Sequence, residues 1–157
     1  MSDAPRRIVI GVGNPQRGDD AAGREVVVQL RSRPPPGVEL IEEDGESTAI
    51  LAHMEGAGAA YLVDACASGA PPGTVHRFDV AASRLPQLPR ASSTHGLGVA
   101  AALELARALG SLPRYCILYA IEGESYGRGA PLSAPVRAAI SSLAERLATE
   151  LVQSRLG

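Results

Sequence analysis

The stretch that most constrains the fold covers residues 8–28, IVIGVGNPQRGDDAAGREVVV, where an apolar run gives way to a glycine-containing turn and two adjacent aspartates. Residues 7–12 are too few for a helix, are rich in Ile and Val, and stop at glycines, which favours a strand buried on both faces. Apolar residues then recur every four positions, as on a buried helix face, at Ala22, Val26 and Leu30. The stretch therefore predicts a strand, a loop and a helix, with the chemistry in the loop.

The two aspartates, Asp19 and Asp20, exclude the common nucleotide-binding versions of this motif. A dinucleotide fingerprint needs a third glycine where this chain has Gln16, and a phosphate loop needs a lysine, which the chain lacks altogether. Two carboxylates would also repel phosphate. They suit a cation or an acid–base role. The alternative is that they cap the helix N-terminus, where the dipole favours negative charge.

Composition indicates one globular domain spanning residues 1–157. Fifteen basic and 17 acidic residues are interspersed, so the sequence has no basic patch for nucleic acid and no basic amphipathic helix for a membrane. The chain has two cysteines, no signal peptide and no apolar run of about 18 residues, from which we expect a cytoplasmic protein with reduced thiols. Cys66 and Cys116 are expected to be small buried residues rather than ligands.

The remaining elements alternate between strands and helices. The predicted segments are a strand at 38–41, an acidic loop at 42–46, a helix at 47–55 capped by Ser47, strands at 59–63 and 74–80, a helix at 95–109 stopped by Gly110, a strand at 115–121, and a closing helix from Ser133. The turn SGAPPG is too short for a crossover helix, so the strand at 74–80 must run antiparallel to its predecessor. We therefore predict an α/β fold, a three-layer α/β/α sandwich whose five-stranded sheet is mostly parallel with one antiparallel strand.

In such sheets the functional site lies beyond the carboxyl ends of the strands. This rule selects the loop at 13–20, Asp64, Glu122, and His95 at the start of a helix. Asp20, Asp64 and His95 can then meet at one edge, and two carboxylates with an imidazole match the ligand chemistry of zinc or nickel. The alternative is that His95 is an ordinary polar residue at a helix start. The other two histidines, at positions 53 and 76, are weaker candidates.

Several segments together resemble the hydrogenase maturation protease family. They are GVGNPQRGDDAAG in the first loop, VDA at 63–65, PPGTV at 71–75 and HGLGVAAALELARALG at 95–110. No single segment is specific, but their order and spacing are. The resemblance implies that Asp20, Asp64 and His95 are the functional and metal-contacting residues of an aspartyl-type endopeptidase. Many members of the family have glutamate where this chain has Asp20, and Asp-Gly-Gly-Thr where it has residues 44–47, Asp-Gly-Glu-Ser.

The resemblance also implies the reaction and its partner. Members remove the C-terminal extension of a [NiFe]-hydrogenase large-subunit precursor after nickel insertion, and the trio recognises nickel already bound in that substrate. We therefore expect no tightly bound cofactor, although zinc or cadmium can occupy the site in vitro, and we expect a monomer. Two alternatives stay open: a zinc-dependent hydrolase of another substrate on the same fold, and a non-enzymatic binder that senses the nickel site of the precursor.

Overall fold

The computed structural model describes residues 5–86 and 98–156, with side chains up to Gln153. The described strands are β1 (Arg6–Val12), β2 (Val38–Glu43), β3 (Ala57–Cys66), β4 (Val75–Asp79) and β5 (Tyr115–Glu122). The described α-helices are α1 (Ala22–Ser32), α2 (Ser47–Met54), α3 (Gly98–Leu109) and α4 (Ala134–Leu156), and a single turn of 3₁₀ helix, Gly18–Ala21, precedes α1.

The five strands form one sheet in the order β2-β1-β3-β5-β4. The pairs β1–β2, β1–β3 and β3–β5 are parallel, and β4 pairs antiparallel with β5. The predicted mostly parallel sheet with one antiparallel strand is therefore confirmed. Although β4 runs antiparallel to β3 as predicted, it does not lie beside it, because β5 inserts between the two.

Helices cover both faces of the sheet. α1 and α4 pack on one face over Val9, Tyr61 and Ile117. α2 and α3 pack on the other face over side chains that alternate with these, such as Ile8 and Leu62. Burial on both faces explains why the central strands are nearly continuous apolar runs, and it confirms the three-layer α/β/α sandwich.

The closing helix α4 is the longest of the described helices, with 23 residues. Its predicted apolar stripe is buried against the sheet and α1, and consists of Val136, Ile140, Leu143, Leu147 and Leu151. Within residues 5–86 and 98–156, no helix combines the length and apolar character needed to cross a bilayer.

Local details differ from the sequence-based predictions. β2 extends through Glu43, so the acidic loop predicted at 42–46 begins two residues later. Neither aspartate is the N-cap of α1, because the residue at that position is Ala21, which makes no side-chain hydrogen bond. α2 is capped by Glu46, whose carboxylate accepts hydrogen bonds from the N–H groups of Thr48 and Ala49, so Ser47 is not the cap. β3 continues through Cys66, which places Asp64 inside the strand rather than after it. The predicted start of the third helix, at His95, lies outside the described residues.

A close backbone contact fixes the start of α1 over the sheet. A Cβ atom on Gly23 would lie 2.1 Å from the carbonyl oxygen of Val63 and 2.5 Å from that of Val12, so only glycine fits there. Val12 is the last residue of β1, and Val63 directly precedes Asp64 in β3. The first turn of α1 is therefore pressed against the carboxyl ends of two adjacent strands.

Candidate active site

The loop after β1 folds back so that its glycine contacts the residue predicted to be functional. A Cβ on Gly13 would lie 1.9 Å from the carbonyl oxygen of Asp20. The N–H of Asn14 donates a 2.9 Å hydrogen bond to Oδ2 of Asp20, and the Asn14 side chain in turn accepts one from Gln16. Asp20 itself is half-buried. The turn therefore holds one Asp20 oxygen by a backbone donor at the carboxyl edge of the sheet.

The neighbouring residue Asp19 has a different role. Its side chain is fully buried and accepts hydrogen bonds from the N–H groups of Glu124, Ser125 and Ser133 and from the Ser133 hydroxyl, at 2.8 to 3.0 Å. Burial opposes ionisation, but these donors outweigh it and lower the pKa of Asp19. Asp19 therefore ties the first loop to the loop after β5 and to the start of α4. It is a structural residue, not a helix cap.

Asp64 lies at the same edge on the neighbouring strand. It is half-buried, and its Oδ1 accepts a 2.8 Å hydrogen bond from the N–H of Ala65. The 3₁₀ helix that carries Asp20 contacts β3, and Gly23 brings α1 onto the carbonyl that precedes Asp64. The structure thus brings Asp20 and Asp64 to one edge. The third predicted member, His95, is outside the described residues, so the trio as a whole stays a prediction.

The acidic residues at the end of β2 and in the loop that follows it are largely engaged in structural contacts. Glu42 forms ion pairs with Arg24 and Arg31. Nε2 of His53 lies 2.8 Å from Oε1 of Glu43, within hydrogen-bonding distance, so this histidine lies beside the end of β2. Glu46 caps α2, so Glu42, Glu43 and Glu46 each have a structural partner.

Glu122, at the end of β5, is the centre of a polar cluster that sequence reasoning did not assemble. Its carboxylate is buried and accepts hydrogen bonds from the N–H of Ser68, at 3.0 and 3.1 Å, and from the Ser68 hydroxyl. Nε2 of His76 lies 3.1 Å and Sγ of Cys66 3.4 Å from Oε1. Burial opposes ionisation of Glu122, but the donors of Ser68, His76 and Cys66 lower its pKa.

The expectation that the cysteines are only small buried residues holds for Cys116, which is fully buried in β5. Cys66 is buried as well, but its thiol donates to Glu122. Burial raises the pKa of this thiol to about 12, and the charges of Glu122 and Asp64 act in the same direction. The signal in the sequence was the spacing of Asp64 and Cys66, two residues apart on one strand and therefore on the same face.

A separate open groove lies at the opposite edge of the sheet, where β5 begins. It has a volume of about 620 Å³ and is lined by Arg77, Tyr115, Arg146, Thr149, Glu150 and Gln153. Arg77 and Glu150 form a 2.6 Å ion pair there, and Arg77 also donates to the Tyr119 hydroxyl. Arg146, the other charged residue of the lining, lies over the Tyr119 ring. The groove is remote from Asp20 and Asp64.

Comparisons with known proteins agree with this architecture. The family model described as hydrogenase maturation protease, HycI, matches residues 25–150, a range that includes Asp64 but begins after Asp20. The hydrogenase expression/formation protein HoxM of Azotobacter vinelandii is 31% identical over 157 residues, covering 97% of this chain and 74% of that protein.

Solved structures of hydrogenase maturation proteases have the same fold as this chain. The hydrogenase maturating endopeptidase HybD from E. coli superposes with a TM-score of 0.77 and 29% identity, covering 95% of this chain and 93% of that one. The [NiFe] hydrogenase maturation protease HycI from Thermococcus kodakarensis KOD1 gives a TM-score of 0.67 and 30% identity, covering 96% and 95%. Sequence and fold agree along nearly the whole chain, which therefore belongs to the hydrogenase maturation protease family and is a peptidase.

Proposed function

We propose that this peptidase removes the C-terminal extension of a [NiFe]-hydrogenase large-subunit precursor after nickel insertion, and that Asp20, Asp64 and His95 recognise the nickel in that substrate. The observation that carries the proposal is the placement of Asp20 and Asp64 at one sheet edge, each with one carboxylate oxygen held by a backbone N–H. Nickel enters as part of the substrate rather than as a resident cofactor. The protein partner is the precursor, and we expect the enzyme to act as a monomer.

The charge of the site supports recognition of a cation. Asp20 and Asp64 approach from neighbouring elements, and two carboxylates near each other repel when both are ionised. A divalent ion presented by the substrate relieves this repulsion, whereas an empty precursor does not. Carboxylates combine with imidazole in many transition-metal sites, so His95 would complete the ligand set.

Contacts of the three residues with the ion would restrict cleavage to the nickel-loaded precursor. Loaded and empty precursors differ by the ion itself, so only groups that touch the ion can discriminate between them. Each 1.4 kcal/mol of differential binding is a factor of about ten in affinity. A contact by three ligands can therefore supply strong discrimination, while the backbone donors on Asp20 and Asp64 keep these ligands in place.

The test compares nickel-loaded and nickel-free precursor, with the products identified by mass spectrometry. We expect cleavage of the loaded form, and its loss in Asp20→Asn, Asp64→Asn and His95→Gln. Asp79→Asn is the matched carboxylate control, because Asp79 is exposed and pairs with Ile117 toward the opposite edge of the sheet. His53→Gln is the matched imidazole control.

The alternatives give different outcomes in the same assay. Equal cleavage of loaded and nickel-free precursor would contradict nickel recognition. Cleavage of an unrelated substrate that requires added zinc would identify a zinc-dependent hydrolase on the same fold. Stable binding of the loaded precursor with no product would indicate a binder without peptidase action on this partner.

A further inference from the structure

Three side chains with metal-binding chemistry converge beside the proposed active site. Cys66 ends β3, Glu122 ends β5, and the two residues are direct partners in the ladder. His76 on β4 is paired with Ala120, two residues before Glu122 on the same face of β5. One ligand atom from each of the three residues lies within 4.8 Å of the other two. The cluster thus joins three adjacent strands on one face of the sheet.

Two of the three separations are close to the edges of a tetrahedral metal site. With metal–ligand distances of roughly 2.0–2.3 Å, the ligand atoms of a tetrahedral zinc site are about 3.3–3.7 Å apart. Oε1 of Glu122 is already 3.4 Å from Sγ of Cys66 and 3.1 Å from Nε2 of His76. Small side-chain movements are therefore enough to place an ion among the three atoms.

We propose that Cys66, His76 and Glu122 form a second metal site, for a borderline-soft divalent ion such as Zn²⁺, next to but distinct from the nickel-recognition residues. Sulfur, nitrogen and oxygen ligands together suit zinc or cobalt and do not suit Mg²⁺ or Ca²⁺, which take oxygen ligands. Three protein ligands leave a fourth tetrahedral position for water or a substrate group.

The surroundings of Glu122 are suited to a ligating carboxylate. The N–H of Ser68 contacts both carboxylate oxygens, so Oε2 keeps this donor when Oε1 turns to the ion. Outer hydrogen bonds of this kind orient metal ligands and increase affinity. Cys66 and Glu122 are buried, whereas the His76 side chain is 26% exposed and leaves an approach for the ion.

The site lies directly beside Asp64. In the strand ladder Ala120 has His76 on one side and Asp64 on the other, and alternation puts all three side chains on one face. The small Ala120 side chain lies between Asp64 and His76, and Cys66 is two residues from Asp64 on the same face of β3. An ion held by the cluster would add positive charge close to Asp64, whether or not a precursor is present.

Cobalt titration of the purified, reduced chain tests this site, because sulfur coordination gives Co²⁺ an intense near-ultraviolet charge-transfer band. We expect the band in the wild type and its loss in Cys66→Ser. Cys116→Ser is the matched control and should keep the band, because Cys116 is buried in the core. Absence of the band from the wild type, or its survival in Cys66→Ser, would overturn the proposal.

Two further variants separate this site from the active site and from misfolding. His76→Gln, on the edge strand β4, should keep the native circular dichroism spectrum and bind Co²⁺ at least about tenfold more weakly, since even outer-shell changes cost 10–100-fold. Unchanged affinity in His76→Gln would overturn the ligand set. Asp20→Asn should leave the band intact, and its loss there would assign the sulfur to the nickel-recognition site instead.

Discussion

Adjacent aspartates with opposite roles provide the sharpest test of the structure. Replacing Asp19 by asparagine should destabilise the protein, whereas replacing Asp20 in the same way should leave it folded and abolish processing. The two substitutions are chemically identical and one residue apart, so differences in helix propensity or net charge cannot account for different outcomes. The contrast depends on burial, which is complete for Asp19 and partial for Asp20.

The magnitude follows from the four donors that surround Asp19. In Asp19→Asn the amide oxygen can keep the three donors at Oδ2, from Glu124, Ser125 and the Ser133 hydroxyl. The amide nitrogen then faces the N–H of Ser133 and leaves it without an acceptor. One unsatisfied donor costs about 1–3 kcal/mol, and loss of charge from the remaining bonds adds to this, so we expect a total near 2–4 kcal/mol.

For Asp20→Asn the expected loss of stability is about 1 kcal/mol or less, because the amide oxygen can still accept the hydrogen bond of Asn14.

The dependence of stability on pH provides an independent check on Asp19. The pKa of Asp19 is lower in the folded protein than its unfolded value near 3.9. Its ionised form therefore stabilises the fold above that value, and this contribution is lost as pH falls through the lowered folded pKa.

Urea unfolding followed by circular dichroism at pH 7 and at pH 3 measures both effects, with precursor processing assayed in parallel. The stability difference between wild type and Asp19→Asn should be smaller at pH 3. The reasoning would be refuted if Asp20→Asn were as destabilising as Asp19→Asn, or if Asp19→Asn unfolded at the wild-type urea concentration.

Two further predictions concern packing and the groove at the opposite edge. Gly23→Ala should lower the free energy of unfolding in urea by about 1–3 kcal/mol, because its Cβ would meet the Val63 carbonyl. Gly127→Ala should be nearly neutral, because a Cβ there would only make an ordinary 3.9 Å contact with Ala130, and equal effects would contradict the close contact at Gly23. Burial alone would raise the pKa of Glu150, and the hydrogen bond from Arg77 is the largest effect that lowers it. Arg77→Met should therefore raise the Glu150 pKa in a carbon-13 NMR titration, and an unchanged value would show that this ion pair does not control it.

Local patterns were sufficient to predict the sheet and most of its helices. The strand at 115–121 and the apolar stripe of α4 follow directly from run length and periodicity, and Gly110 stops α3 with a φ of 72° as predicted. The predicted end of β3, at Val63, is wrong, because the strand continues through Cys66. Asp64 is polar, and a pattern of apolar residues cannot show that a polar side chain continues in the ladder opposite Ala120.

The parts of the site that the sequence did not predict depend on long-range pairing. Nothing local distinguishes Asp19 from Asp20, since the donors that bury Asp19 lie more than 100 residues away. Likewise, His76 joins Glu122 only because β5 inserts between β3 and β4. The sequence placed Asp20 and Asp64 at a common edge because the rule for parallel strands needs only strand direction.

The contact of Gly23 with the sheet makes the active-site spacing a property of the main chain. Asp20 lies three residues before this glycine, and Asp64 follows the carbonyl that the glycine touches. Because the backbone of α1 at Gly23 is in van der Waals contact with the backbone of β3 at Val63, the distance between the two carboxylate-bearing residues is set by main-chain packing. Core side chains can consequently change their packing without changing the spacing between these two proposed site residues.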